Sequence, residues 1–191
     1  MQNQKILSIE TCFNKCSICL FIDGKFHEKI DETRNNHTNS LPDFTREILT
    51  EHGIEVQNLE GVIVNHGPGS FTGIRIGIAF ALGLVTPFNI PLFGISTLEA
   101  CVLSDEKQAI AVNAIKDTFY IQEFQNGIGG EISHKEFSEI EHLENLKIQN
   151  QTPNARQLIE RFFFKKPEIY TQPLYVRPVN AIIGTIKHIK Q

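Results

Sequence analysis

The 191-residue chain has no excess of basic residues: 18 Lys and Arg stand against 22 Asp and Glu. No global positive field therefore announces a nucleic-acid binder. The sequence offers no apolar run of the roughly 18–20 residues that a membrane span needs, which predicts a chain outside the bilayer. Glu10 interrupts the opening stretch where an export signal is uniformly apolar. Cysteine is sparse, at four residues, and without an export signal it predicts reduced thiols in the cytosol. The sequence contains no HExxH, no Cys/His quartet with zinc spacing, no GxSxG elbow and no GxxxxGK[ST] loop. GPGSFTG departs from GxGxxG as well, because Thr72 stands where the third glycine belongs. Nothing in this inventory compels a catalytic site.

What remains is ordinary globular composition, 41% hydrophobic and 21% charged, over a length that suits one or two domains. Charge is unevenly placed. Residues 1–95 carry 7 basic and 10 acidic residues, 96–152 carry 4 and 10, and 153–191 carry 7 and 2. The basic tail reads either as a solvated segment or as a contact for RNA or an acidic partner.

The apolar periodicity predicts an α/β chain. KILSIE and CSICLFI read as strands, and Asp23-Gly24 predicts a hairpin into Lys25–Ile30. Ile6 breaks the alternation of Leu7 and Ile9, so both faces of the first strand are partly apolar. Leu41, Phe44, Ile48 and Leu49 predict a helix over Ser40–His52, capped by Ser40 or Asn39 and closed by Gly53. Gly61–Asn65 is a short apolar run suited to a strand buried on both faces. Further on, a strand is expected over Pro91–Gly94, a helix over Ser96–Leu103, a strand pair over Gln108–Asn113 and Phe119–Phe124, a turn at Gly127–Gly130, a weakly amphipathic acidic segment at Ser138–Leu146 and a last helix over Asn154–Phe164.

The strongest local signal is GPGSFTGIRIGIAFALGLV. Gly67, Pro68 and Gly69 form a tight turn after a strand, and Ser70 or Thr72 caps the helix Gly73–Val85. That helix has one charge, Arg75, and three glycines. A glycine inside a helix costs about 1 kcal/mol against alanine, so close approach of another backbone is the expected compensation. Gly73, Gly77 and Ala81 form one stripe at four-residue spacing. Ile76, Phe80 and Leu84 flank it on one side, and Ile74, Ile78 and Leu82 flank it on the other, towards the chain's own core. Two readings stay open: a helix wrapped by its own chain, or one lying against a second subunit. The second predicts that Gly77→Leu abolishes pairing and leaves the monomer folded.

Cys12, Cys16 and Cys19 have the C-x3-C-x2-C spacing of radical-SAM iron–sulfur enzymes. In a strand Cys16 and Cys19 point to opposite faces, which favours small core residues over cluster ligands. Glu10, at a strand end, is either a carboxylate at the mouth of a site or an exposed terminal residue. The seven histidines are scattered.

Taken in order, ILSIET, RNNHTNSLPDFTREIL, VIVNHGPGSFTGIRIGIAFALGL, PLFGISTLEA and the late QPLYVRP resemble the bacterial TsaB (YeaZ) family, most densely over residues 6–103. The resemblance implies an actin-like ATPase (ASKHA) fold of two ribonuclease-H-like halves, the first over 1–103 and a reduced second over 104–191. It implies a cytoplasmic, non-catalytic scaffold for making N6-threonylcarbamoyladenosine at position 37 of tRNAs that read ANN codons. The implied partners are the catalytic paralogue TsaD, the ATPase TsaE, tRNA through the complex, and a second copy when the chain is alone. No intrinsic cofactor or metal is implied, although a nucleotide at the subunit boundary stays open. The implied partner surface comprises Gly73, Ile76, Gly77, Phe80, Ala81 and Leu84 with His37 and Leu41, placed by the turn Gly67, Pro68, Gly69, Ser70, Thr72 and Arg75.

The chain departs from the family at Glu10, where Asp is usual, at Cys12, and at Asn113-Ala114-Ile115-Lys116, where an Asp-Ala-Arg-like run opens the second half. His37 also has no second histidine four residues on, since that position is Leu41. The rival readings are an independent actin-like ATPase or peptidase, and the iron–sulfur enzyme.

Overall fold

The computed structural model describes residues 4–33, 37–149, 152–165 and 167. Two sheets carry the fold. The first has strand order β3-β2-β1-β4-β5, from β1 (Ile6–Glu10), β2 (Cys16–Ile22), β3 (Lys25–Asp31), β4 (Gly61–Asn65) and β5 (Leu92–Ile95). β1, β4 and β5 run parallel, and β2 is antiparallel to both its neighbours. The Asp23-Gly24 turn adopts positive φ at both residues, as the hairpin signal requires.

Both faces of this sheet are covered, which explains the unbroken apolar strands. Leu7, Ile9, Ile18, Leu20, Val62 and Val64 point to α1 (His37–Glu51) and α2 (Phe71–Val85). Ile6, Cys19, Phe21, Ile63 and Phe93 point the other way, to α4 (Ala155–Phe164). Ile6 thus breaks the alternation because its face packs against a helix from the far end of the chain. Two serines seat that helix: Ser8 Oγ donates to Ala155 O at 2.6 Å, and Ala155 N donates to Ser17 Oγ at 2.9 Å.

The second sheet has order β10-β6-β7-β8, with β9 also on β7, from β6 (Gln108–Asn113), β7 (Thr118–Gln125), β8 (Ile128–Gly129), β9 (Ser133–Glu136) and β10 (Leu146–Gln149). β6 and β7 are antiparallel and β10 is parallel to β6, so the sheet repeats the β1, β2 and β4 arrangement on a smaller scale. A one-turn helix, α3 (Phe137–Ile140), stands where the first half has fifteen-residue α1. This is the actin-like arrangement of two ribonuclease-H-like halves with the second reduced. Arg161 of α4 links the halves: it is buried, Nη1 donates to Val102 O at 3.1 Å and Nη2 to Gly127 O at 2.7 Å.

β9 and β10 form where no strand was expected, and three further elements differ from expectation. α1 begins at His37, before its expected caps, and Ser40 instead bonds Asp31 Oδ2 at 2.5 Å. The helix expected over Ser96–Leu103 shrinks to a single 3-10 turn, Glu99–Cys101; Ser96 Oγ still accepts from Glu99 N at 3.1 Å. The Gly127–Gly130 turn is partly strand, in β8. The QPLYVRP segment, residues 34–36 of the RNNHTNS motif and most of the basic tail lie outside the described residues.

Candidate functional site

The parallel strands β1, β4 and β5 end together, which is where open α/β sheets place their sites. Here the ends are tied into one buried polar knot. Asn65 closes β4, and its Oδ1 accepts from Gly67 N at 2.9 Å. The Gly67–Pro68 bond is cis, and Gly67 has φ +105. Thr97, just past β5, donates from Oγ1 to Pro68 O at 2.7 Å. Ser70 N donates to Cys12 O at 2.6 Å, and Ser70 Oγ accepts from Gly73 N at 3.2 Å as the N-cap of α2. Thr72 is therefore not the cap; it is exposed in the first turn.

Glu10 sits at the centre, 1% exposed. Its Oε1 accepts from Cys12 N at 2.6 Å and its Oε2 from the Asn65 amide. Burial raises its pKa to about 7, against the lowering effect of the Asn65 and Cys12 hydrogen bonds and of Lys15. Glu10 is neither an exposed strand end nor at an open mouth.

The glycine stripe of α2 faces this knot and not a second subunit. A Cβ on Gly73 would overlap Thr11 O, and one on Gly77 would overlap Thr11 Oγ1. Thr11 Oγ1 in turn donates to Gly73 O at 2.8 Å. Ala81 is fully buried on the same side. The compensating backbone is the chain's own β1–β2 loop, so the reading of Gly73, Gly77 and Ala81 as partner contacts is corrected. Gly77→Leu would strike the fold itself. His37 and Leu41 are corrected likewise: both lie on the inward face of α1, Leu41 in the core and His37 Nε2 3.1 Å from Phe13 O.

The opposite face of α2 is open. Thr72, Arg75, Ala79, Leu82 and Gly83 are exposed, with Ile76, Phe80 and Leu84 half-buried along its edges. Leu82 is 43% exposed, although the sequence placed it towards the core with Ile74 and Ile78, which are buried. A Cβ on Gly83 would meet nothing. Arg75, the one charge, stacks 3.8 Å from the Phe71 ring centroid. Ala79, Leu82 and Gly83 were missed, yet Arg75 marks their stripe: a lone charge on an apolar helix faces water, and positions four and seven residues later share its side. By length and composition Phe71–Phe88 meets the criterion for a membrane span, contrary to expectation; in the fold 33% of it is buried inside the protein.

The cysteines do not converge. Cys12 and Cys16 join the core under α1 and α2, and Cys19 joins the core under α4. Burial pushes the Cys16 and Cys19 thiols up to about 12. Among the described residues no group of three or more His, Cys, Asp or Glu is placed to hold a metal. Asn113 caps the β6–β7 turn through Lys116 O at 3.0 Å.

Comparison with known proteins places this arrangement. The sequence profile of the family described as TsaD, tRNA N6-adenosine threonylcarbamoyltransferase, matches residues 30–183. The chain is 36% identical over 94 residues to the tRNA threonylcarbamoyladenosine biosynthesis protein TsaB of Escherichia coli, covering 49% of this chain and 41% of that protein. It is 33% identical over 95 residues to TsaB of Bacillus subtilis, covering 49% and 42%. The matched segments thus span less than half the length of these curated relatives. A crystal structure from Pseudomonas aeruginosa, described as similar to the peptidase YeaZ, superposes with a TM-score of 0.75 at 20% identity, over 91% of this chain and all of that one. With a profile match over most of its length the chain belongs to the TsaD family, and within it the chain is similar to TsaB (YeaZ) proteins, above 30% identity over about half its length.

Proposed function

We propose that the chain is a non-catalytic scaffold subunit in the formation of N6-threonylcarbamoyladenosine on tRNA, docking a TsaD-type catalytic paralogue through the outer face of α2. The observation that carries this is the open face itself: Ala79, Leu82 and Gly83 with Ile76 and Phe80 beside them, uncharged except at Arg75. A contiguous apolar face on a chain of this size marks an interaction surface. Its small residues, Ala79 and Gly83, let a second helix approach closely. The knot at the strand ends fills with protein groups the place where a catalytic member of an α/β fold would hold substrate. The scaffold acts in the cytoplasm, reaches tRNA through the complex, and needs a TsaE-type ATPase alongside TsaD. Alone, the same face pairs two copies. A nucleotide at the subunit boundary belongs to this proposal as an open ligand.

The test is reconstitution. Modification of a tRNA reading an ANN codon is measured with the paralogue and ATPase present, with and without this chain. Modification that depends on the chain, which by itself hydrolyses neither ATP nor peptide, is the expected result. Turnover of either substrate by the chain alone favours the rival reading of an independent enzyme.

A further inference from the structure

Glu10 is surrounded in a way that suits one ionisation state. Each carboxylate oxygen faces a donor: Oε1 the Cys12 N–H at 2.6 Å, Oε2 the Asn65 amide NH2. The Asn65 amide cannot turn over, because its Oδ1 accepts from Gly67 N at 2.9 Å and a turned amide would set NH2 against that N–H. A proton on either oxygen removes the negative charge that strengthens both bonds, so two charge-assisted hydrogen bonds become weaker neutral ones. Both donors lead to α2. Cys12 holds Ser70 N through its carbonyl at 2.6 Å, and Ser70 caps the helix. Asn65 holds the Gly67 turn that delivers the chain to Ser70.

We propose that Glu10 is a positioning residue that couples pH to the presentation of α2: ionised, it ties the Cys12 and Asn65 donors by charge-assisted bonds and sets the turn beneath the helix; protonated, it holds them more weakly and loosens the docking face. This rests on the docking role of α2 proposed above. The balance between forms lies close to neutrality because burial favours the neutral acid and the two donors and Lys15 favour the anion. The thiols on the packed elements do not compete. Burial raises the Cys12 thiol, and those of Cys16 on β2 and Cys101 beyond β5 to about 12. β4 and the segment after β5 contribute the neutral Asn65 and Thr97. The one charge of α2, Arg75, is exposed on the far side. His37 on α1 and His66 after Asn65 are the neighbouring imidazoles.

The experiment follows the Glu10 carboxyl carbon and the Cys12 and Gly67 amides by NMR in the isolated chain from pH 5 to 9, and measures affinity for the TsaD-type paralogue at pH 6 and 8. The carboxyl and both amides should titrate together with a midpoint at about 7. The ionised fraction then falls from about 0.9 to about 0.1 between pH 8 and 6, so affinity falls roughly tenfold. In Glu10→Gln both profiles should be flat, whereas His66→Gln should keep them. If Glu10→Gln does not fold, the wild-type titration decides by itself. A carboxyl midpoint below 5, amides that ignore it, or equal affinity at both pH values overturns the proposal. Amides that follow the carboxyl in a chain that binds the paralogue at no pH overturn the docking role, and the coupling with it.

Discussion

Thr11 Oγ1 donates to Gly73 O at 2.8 Å, across a seam that joins the β1–β2 loop to the first turn of α2. Gly73 and Gly77 leave room for Thr11, so this seam requires two glycines that helix propensity alone disfavours.

Gly77→Leu is predicted to destabilise the fold by about 1–3 kcal/mol, the usual range for overpacking a close contact. Gly83→Ala, into open space on the same helix, is predicted to be stabilising by up to about 1 kcal/mol. Urea midpoints of the two variants check the pair. A tolerated Gly77→Leu means that Thr11 does not pack there.

The distinction between those two glycines explains what the sequence revealed and what it hid. Strands β1 to β7, the Asp23-Gly24 hairpin, α2 and α4 follow from local periodicity and turn chemistry and are where those rules put them, whereas the short β8, β9 and β10 carry no such signal. The presence of a close approach at Gly73 and Gly77 was legible too, because glycine in a helix needs a reason. Its direction was not: the approaching residue, Thr11, lies 62 positions from Gly73, and no local rule names it. His37 and Leu41 were misplaced for the same reason, since the inward face of α1 is fixed by what packs under it. The Ser96–Leu103 helix failed because Ser96 caps a single turn as readily as a long one. Glu10 was visible as a carboxylate at a strand end, but its burial depends on Asn65 and Cys12 together.

Glu10 also makes global stability pH-dependent. Its pKa is about 7 in the fold and 4.5 as an ordinary carboxylate, so the unfolded chain ionises first as pH rises. The sign is therefore a loss: stability contributed below pH 4.5 declines through pH 7, by about 3 kcal/mol in all. Denaturation at pH 5 and pH 8 should show this loss in the wild type and not in Glu10→Gln. Equal pH dependence in both proteins rules out Glu10 as its source.

Arg161→Met is predicted to loosen α4 from the second half. The Val102 and Gly127 carbonyls would each lose a charge-assisted donor, at a combined cost of about 3 kcal/mol. Hydrogen exchange over residues 155–164 should quicken before the amides of β1 and β4 do. Unchanged protection in α4 would show that Ser8 and Ser17 hold it unaided.

The central claim is that the outer face of α2 receives the TsaD-type paralogue. Titration calorimetry of Leu82→Glu with that paralogue tests it most directly, because Leu82 is exposed and its replacement leaves the core intact. The account predicts an unchanged melting temperature and binding weakened at least tenfold, since a carboxylate is desolvated against an apolar helix. A variant that melts and binds as the wild type does contradicts it.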